Sequence, residues 1–267
     1  RDRPEFQGWF DTFAPNNTWL KPGEMFRCPD MAKTLKEIAA TKGESFYRGA
    51  IAEKIDAFFK KHNGFLTKED LAAFKPEWVD PISVNYHGVD VWELPPNGHG
   101  ITVLMALQIL KDMKLGERDC VDTMHKQIEA MKLAMVDTAQ YVAEPSYMKV
   151  SVDQLLSEKY AAKRRALIND QAIMPEPGEP GCPSTVYFCC ADGEGNMVSF
   201  IQSNFRGFGS GIVVPGTGIS LNDRAENFKF DENHANALAG GKRPYHTIIP
   251  GFLTQNGKPL GPFGIMG

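Results

Sequence analysis

The chain has 267 residues, of which 42% are hydrophobic and 23% are charged, and its formal net charge is -4. These values lie in the ordinary range for a globular protein that buries a sizeable core. They exclude a strongly basic surface, so neither nucleic acid nor a membrane is an expected partner. A small neutral or zwitterionic substrate fits this charge better than a polyanion does.

The cysteine and histidine patterns argue against a metal site. The five cysteines, at 28, 120, 182, 189 and 190, match neither a zinc motif nor a disulfide framework. No two of the six histidines have metal-ligand spacing, so each is expected on the surface or in hydrogen-bonded structure. No metal and no other cofactor is therefore predicted. Cys189 and Cys190 are predicted to be small core residues on opposite faces of a strand.

Localisation stays open at the level of sequence. The cysteine pattern favours a reducing compartment and hence the cytoplasm. The chain has neither an initiator methionine nor a signal peptide, and it is expected to begin in mid-protein. A periplasmic or secreted protein is therefore also compatible with the sequence.

Up to about residue 170 the chain is predicted to be mostly helical. Segments with helical spacing of apolar residues or with helical propensity are 29–38, 50–59, 67–74, 103–110, 121–141 and 152–168. Asp30 is the expected N-cap of the first segment, and Thr67 begins a capping-box pattern. One hairpin interrupts the helices at 84–94, with its turn at His87 and Gly88.

A loop and a second hairpin follow. Prolines and glycines are frequent in 170–184 and exclude a helix or a central strand, so an exposed flexible loop is predicted. The β-rich runs 185–191 and 197–202 are joined by the turn Asp192–Asn196, which predicts a hairpin. Thr185 therefore stands at the boundary between the loop and its first strand.

Thr185 has a structural and a catalytic interpretation. Threonine is common at strand starts because of its β propensity, and the boundary alone favours this interpretation. The alternative is an N-terminal nucleophile. A threonine hydroxyl is a weak nucleophile that needs a base, and an α-amine freed by cleavage before Thr185 can serve as that base.

The motifs around Thr185 decide in favour of the catalytic interpretation. They are, in order, Thr185, Asp192–Asn196, Phe208–Gly211, Gly216–Asp223 and Lys242–Pro244, with upstream segments 46–52, 64–71, 94–100 and 129–134. With these motifs the chain resembles the γ-glutamyltransferases, a family of N-terminal-nucleophile hydrolases, from about residue 25 to the end. The resemblance implies an α+β fold, a four-layer αββα sandwich that is incomplete at both ends.

The resemblance also implies self-cleavage before Thr185. Residues 1–184 would then be the C-terminal part of a large-subunit region that ends in the flexible loop. Residues 185–267 would be the N-terminal part of a small-subunit region, and both would belong to one structural domain. The expected product is a heterodimer of large and small subunits, and a higher homo-oligomer is left open.

Individual roles are carried over by position. Thr185 matches the nucleophile, and Ser203 matches a threonine whose hydroxyl contacts the freed amine. Gly267 matches the first glycine of a pair whose backbone N–H forms the oxyanion hole. The positions that match the substrate pocket hold Asn204, Phe205, Arg224, Asn227, His246 and Thr247.

Several pocket positions depart from the family pattern. Arg224 and Asn227 replace the acidic or amide side chains that read the substrate α-amino group. Because an arginine repels an ammonium and attracts a carboxylate, the acyl donor is expected to be an amide other than glutathione, such as a dicarboxylic monoamide. Alternatively, Arg224 turns outward and pairs with Glu226 or Asp223. His246 is expected to change its charge near neutral pH.

Two classes of function follow. In the first, Thr185 attacks a γ-glutamyl, glutathione-like or related amide, and water or an amine acceptor releases the acyl group. A glutaryl- or cephalosporin-type acylase is the alternative within this class. In the second class the protein is a non-catalytic, single-chain relative that serves as a scaffold. Cleavage into two polypeptides distinguishes the two classes.

Overall fold

The computed structural model describes residues 3–174 and 184–265. The chain divides into two compact units, Arg1–Trp78 with Arg206–Asp223, and Val79–Phe205 with Arg224–Gly267. Each unit contains residues from both sides of position 184/185. The two compact units therefore do not coincide with the predicted large- and small-subunit regions. The division into those regions stays a prediction about where the chain is cut. The predicted loop falls largely on residues 175–183, outside the described residues.

The first unit is helical in its N-terminal part. Its helices are α1 (Gln7–Phe13), α2 (Pro29–Thr41), α3 (Glu44–Arg48), α4 (Ala50–Lys61) and α5 (Lys68–Ala73). Asp30 is not the N-cap of α2, because Cys28 takes that place and Pro29 begins the helix. Asp30 lies in the first turn instead, where its charge suits the helix dipole. Thr67 forms the predicted capping box with Asp70.

The glycine-rich motif 216–223 is part of the first unit's scaffold. The hydroxyl of Thr34 in α2 donates to the carbonyl of Thr217 at 2.8 Å. Gly218 has a φ of 68°, and a Cβ there would lie 2.7 Å from the backbone nitrogen of Met31. Only glycine therefore fits this close approach to α2. The adjoining core cluster contains Ile51, Ile55, Phe58 and Val214.

In the described chain the second unit contains four α-helices and six strands. They are β1 (Ile82–Tyr86), β2 (Val89–Glu93), α6 (Gly100–Leu110), α7 (Val121–Tyr141), α8 (Val152–Leu155), α9 (Glu158–Arg165), β3 (Ser184–Ala191), β4 (Met197–Phe205), β5 (Gly251–Gln255) and β6 (Lys258–Phe263). The segment predicted as one helix over 152–168 is two helices, because Ser157 caps α9 by accepting the Tyr160 N–H at 3.2 Å. None of the described helices is long and apolar enough to cross a membrane.

Strands β1, β2, β5 and β6 form an antiparallel sheet in the order β1-β2-β5-β6. The predicted turn at His87 and Gly88 is confirmed, with φ angles of 50° and 88° that suit a two-residue hairpin. Helix α6 packs on this sheet through Leu104, and its Ile101 packs against Ala134 of α7. The core of the unit therefore lies between the sheet and α7.

Strands β3 and β4 form a separate two-stranded antiparallel sheet. Ser199 of β4 donates its hydroxyl to the carbonyl of Gly251 in β5 at 2.9 Å, which ties the two sheets together. The prediction that Cys189 and Cys190 are core residues is wrong, since both are exposed. A two-stranded sheet buries less of its surface than a central strand would, and alternation alone does not reveal how many strands a sheet has.

Candidate active site

The ladder between β3 and β4 is irregular where β3 begins. Thr185 pairs with Ser203, but Ser184 pairs with Phe205, so the ladder passes over Asn204. This extra residue is a β-bulge, a feature that is frequent next to active sites. Phe205 has a φ of 80°, in the left-handed region that aromatic side chains rarely adopt. Both irregularities lie on β4 directly opposite the Ser184–Thr185 bond, which is the bond predicted to be cleaved.

Ser203 lies directly opposite Thr185. Residues paired in this way in an antiparallel ladder have Cα atoms about 4.5–5.5 Å apart. The Ser203 hydroxyl accepts the backbone N–H of Phe205 at 2.9 Å, which holds it beside the bulge. The structure thus brings Ser203 next to the predicted nucleophile. Gly267, the predicted oxyanion glycine, lies outside the described residues.

Arg224 is buried, with 6% of its surface exposed. Its Cζ lies 4.9 Å from the centroid of the Phe205 ring, a cation–π distance, and its Nη1 donates to the hydroxyl of Thr247. The prediction that Arg224 turns outward, which was one part of the alternative, is therefore wrong. Arg224 thus contacts two other predicted pocket residues, Phe205 and Thr247.

The backbone beside Thr247 is held by the loop that precedes α6. His99 donates its N–H to the carbonyl of His246 at 2.9 Å, and His246 donates its N–H to the carbonyl of Asn97 at 3.0 Å. The side chain of Asn227 donates to the carbonyl of Tyr245 at 3.0 Å. Asn227, predicted to bind substrate, thus fixes the segment that carries His246.

Both histidines of this region are neutral at neutral pH. Burial, and next the charge of Arg224, lowers the pKa of His99 to about 4. Burial, Arg224 and then His99 lower the pKa of His246 to about 4. The prediction that His246 changes its charge near neutral pH is therefore wrong, because the spacing of motifs carries no information on desolvation.

His99 is a residue of this region that was not predicted as a site residue. Its Nδ1 lies 2.9 Å from the hydroxyl of Tyr245, which fixes the orientation of the imidazole. The available signal was its place in a loop between a strand end and a helix start, where binding residues are frequent.

Glu93, the last residue of β2, was also missed. Its side chain is buried, and its carboxyl oxygens have no hydrogen-bond partner among the described residues. Burial raises its pKa to about 8, so the group is protonated at neutral pH. A Cβ on Gly100, the first residue of α6, would lie 2.8 Å from Oε2 of Glu93. A neutral acid is therefore packed against the start of α6.

The side chains of this region can form hydrogen bonds and recognise charge. Within 3–174 and 184–265, no group of three or more His, Cys, Asp or Glu side chains could hold a metal ion. The region offers a threonine at the second position of β3 with a serine opposite it, and in addition a buried guanidinium.

Comparison with known proteins defines the class to which this fold and site belong. The family model described as Gamma-glutamyltranspeptidase matches residues 1–267, and the chain belongs to that family. Its members are amidohydrolase or transpeptidase enzymes. The N-terminal-nucleophile hydrolase fold of the structural relatives confirms the α+β prediction.

Three relatives illustrate the family. The crystal structure of cephalosporin acylase from Bacillus halodurans is 60% identical, with a TM-score of 0.94 over 99% of this chain and 48% of that chain. The glutathione hydrolase-like YwrD proenzyme of Bacillus subtilis is 34% identical over 96% of this chain and 49% of the relative. The oxamate amidohydrolase proenzyme of Klebsiella pneumoniae is 33% identical over 94% and 49%. The chain thus spans about half the length of these relatives.

Proposed function

We propose that the full-length protein cleaves its own chain before Thr185 and then uses the freed threonine to move the acyl group of an amide to water or to an amine. The coincidence of the β-bulge and the left-handed Phe205 with the Ser184–Thr185 bond carries this proposal. Backbone strain of this kind is frequent at functional sites. The names of the two curated relatives above describe proenzymes, which supports processing.

The reaction needs little beyond the threonine. The hydroxyl of Thr185 attacks the amide carbonyl carbon while its own α-amine accepts the hydroxyl proton. That proton passes to the departing amine, and an ester between Thr185 and the acyl group remains. Water or an acceptor amine then attacks the ester and restores the hydroxyl. Ser203 orients the α-amine, and the backbone N–H of Gly267 contributes about 3 kcal/mol to stabilising the oxyanion.

The acyl donor is a γ-glutamyl or related amide, and the acylase-type donors are the alternative. The relatives named for oxamate and for cephalosporin support a donor other than glutathione. After cleavage the two chains stay together as a large/small subunit heterodimer. A single-chain scaffold is the competing class, and membership in an enzyme family argues against it.

Trapping the acyl-enzyme tests the chemistry. The full-length protein is mixed with γ-glutamyl- and glutaryl-p-nitroanilide, quenched in acid and analysed by mass spectrometry. We expect an acyl adduct on the chain that begins with Thr185 and release of p-nitroaniline. Thr185→Ala should give neither, and the control Thr41→Ala, on an exposed residue of α2, should give both. Turnover by Thr185→Ala at the parent's rate would contradict the proposal.

A further inference from the structure

Tyr245 precedes the predicted pocket residues His246 and Thr247 and lies outside the helices and strands of the second unit. Its backbone polar groups therefore need partners from elsewhere in the chain. Both partners are asparagine side chains. Oδ1 of Asn236 accepts the Tyr245 N–H at 3.0 Å, and Nδ2 of Asn227 donates to the Tyr245 carbonyl at 3.0 Å. Two side chains thus do at Tyr245 what a neighbouring strand does in a sheet.

The two asparagines are also hydrogen-bonded to each other. Nδ2 of Asn236 donates to the backbone carbonyl of Asn227 at 2.7 Å. Both ends of the Asn236 amide are therefore used, and its orientation is fixed, because the Tyr245 N–H needs an oxygen and the Asn227 carbonyl needs an N–H. Asn227 is the last residue of a short 3-10 helix, Arg224–Asn227. Asn236 thus joins segment 224–227 to segment 245–247, and both segments carry predicted pocket residues.

Asn236 is itself buried and held from both sides. Only 2% of its surface is exposed. Nζ of Lys242 donates to the carbonyl of Ala235 at 2.6 Å and to that of Ala237 at 2.9 Å, directly before and after Asn236. The N–H of Asn236 donates to Nδ1 of His234 at 2.9 Å. The backbone of Asn236 is therefore fixed, so its amide is preorganised to hold the two segments in one arrangement.

We propose that Asn236 is a positioning residue that sets the relative placement of segments 224–227 and 245–247, so that the affinity for substrate depends on it. It acts through Asn227 and Tyr245. This inference rests on the proposed function and adds a residue that the reaction requires. Lys242, the first residue of the Lys242–Pro244 motif, supports the same arrangement, because it holds the residues on either side of Asn236.

Asn236→Ala in the full-length protein tests the inference, because it removes both side-chain hydrogen bonds. The hydrogen bonds described above link Asn236 to residues between 227 and 245, outside β3 and β4, so cleavage before Thr185 should proceed at the parent's rate. The substrate is glutaryl- or γ-glutamyl-p-nitroanilide, whichever the parent turns over faster. KM should rise about 10- to 100-fold with kcat nearly unchanged, the pattern of lost binding rather than lost chemistry.

Three further variants separate positioning from folding. Asn236→Asp has nearly the same shape and keeps the acceptor for Tyr245, but it lacks the donor for Asn227, so KM should rise with cleavage intact. Asn227→Ala should also raise KM. Its combination with Asn236→Ala should raise KM by less than the product of the two single factors, because both side chains act on Tyr245. The matched control is Asn233→Ala, an exposed asparagine in the same loop, which should leave KM unchanged.

The outcomes distinguish this inference from the proposed function. A folded and cleaved Asn236→Ala with the parent's KM would overturn the inference and leave the proposed function standing. Loss of folding in both Asn236→Ala and Asn236→Asp, measured by thermal unfolding, would also overturn it, because Asn236 would then be a purely structural residue. A parent that turns over neither anilide would count against the proposed function itself, and the inference would fall with it.

Discussion

The two hairpins of the second unit differ in regularity. In the first, β1 and β2 pair without a break from Ile82 opposite Glu93 to Tyr86 opposite Val89. In the second, β3 and β4 pair regularly from Ala191 to Thr185, and then the register shifts by one residue. The regular hairpin is part of the scaffold. The irregular one breaks its ladder at the bond where we propose cleavage.

Backbone angles show the same difference. His87 and Phe205 both have positive φ, at 50° and 80°. At His87 the two-residue turn requires this conformation, so its cost is offset by closing the hairpin. At Phe205, the last residue of β4, the positive φ instead accompanies the break in the ladder. Backbone strain of this kind is frequent at functional sites, so the irregular hairpin is the one expected to act in cleavage. The predictions below test this difference between the two hairpins, from the largest expected effect to the smallest.

Deleting Asn204 should have the largest effect. The deletion removes the bulge and allows a continuous ladder, so it should slow cleavage of the full-length protein at least about 100-fold. Asn204→Gly keeps the extra residue and should still cleave. A time course on denaturing gels, with circular dichroism to check folding, measures both. Normal cleavage in the folded deletion variant would contradict a role for the bulge.

Removing the hydroxyl opposite Thr185 should have the next largest effect. Ser203→Ala should slow turnover about 10- to 100-fold, the value of one hydrogen bond to an α-amine that becomes charged as it accepts the proton. It should also slow cleavage, because the Ser203 hydroxyl holds the backbone of Phe205 beside the bulge. Ser203→Thr should restore most of the rate. The matched control is Ser83→Ala, on the exposed face of the regular hairpin, which should change neither rate. Equal rates in Ser203→Ala and the parent would remove Ser203 from the mechanism.

Glu93, at the end of the regular hairpin, should make stability depend on pH. Its folded-state pKa of about 8 lies above the ordinary value of 4.5, so the folded protein binds more protons between these values and loses stability as pH rises through that range. Glu93→Gln should match the parent near pH 4 and exceed it at pH 9 by on the order of 5 kcal/mol. Urea unfolding of the full-length protein at both pH values measures the difference, and parallel curves would contradict the assignment.

The turn of the regular hairpin should show the smallest effect. His87→Val places a β-branched residue at positive φ, which should destabilise the protein by about 1–2 kcal/mol. Cleavage before Thr185 should proceed at the parent's rate, since this hairpin is scaffold. Thermal unfolding and the gel assay together measure the contrast. A cleavage defect as large as that of Ser203→Ala would remove the distinction between the two hairpins.

Local patterns in the sequence were sufficient for much of this structure. The turn at His87 and Gly88, the capping box at Thr67 and the hairpin after Thr185 each depend on neighbouring residues and could be predicted. The family, and hence the fold class, followed from the order of the motifs.

Features that depend on tertiary burial could not be predicted in this way. The neutrality of His246, the inward position of Arg224 and the exposure of Cys189 depend on residues far away in the chain. Glu93 was missed for the same reason, because desolvation leaves no local pattern. The roles of Thr185, Ser203 and Gly267 stay predictions that experiments have to test.

The intact mass of the full-length protein after incubation tests the central claim most directly. We predict two polypeptides from the parent, with the smaller one beginning at Thr185, and one uncleaved polypeptide from Thr185→Ala. A parent that stays a single chain under conditions in which it is folded would contradict the account and favour the scaffold class.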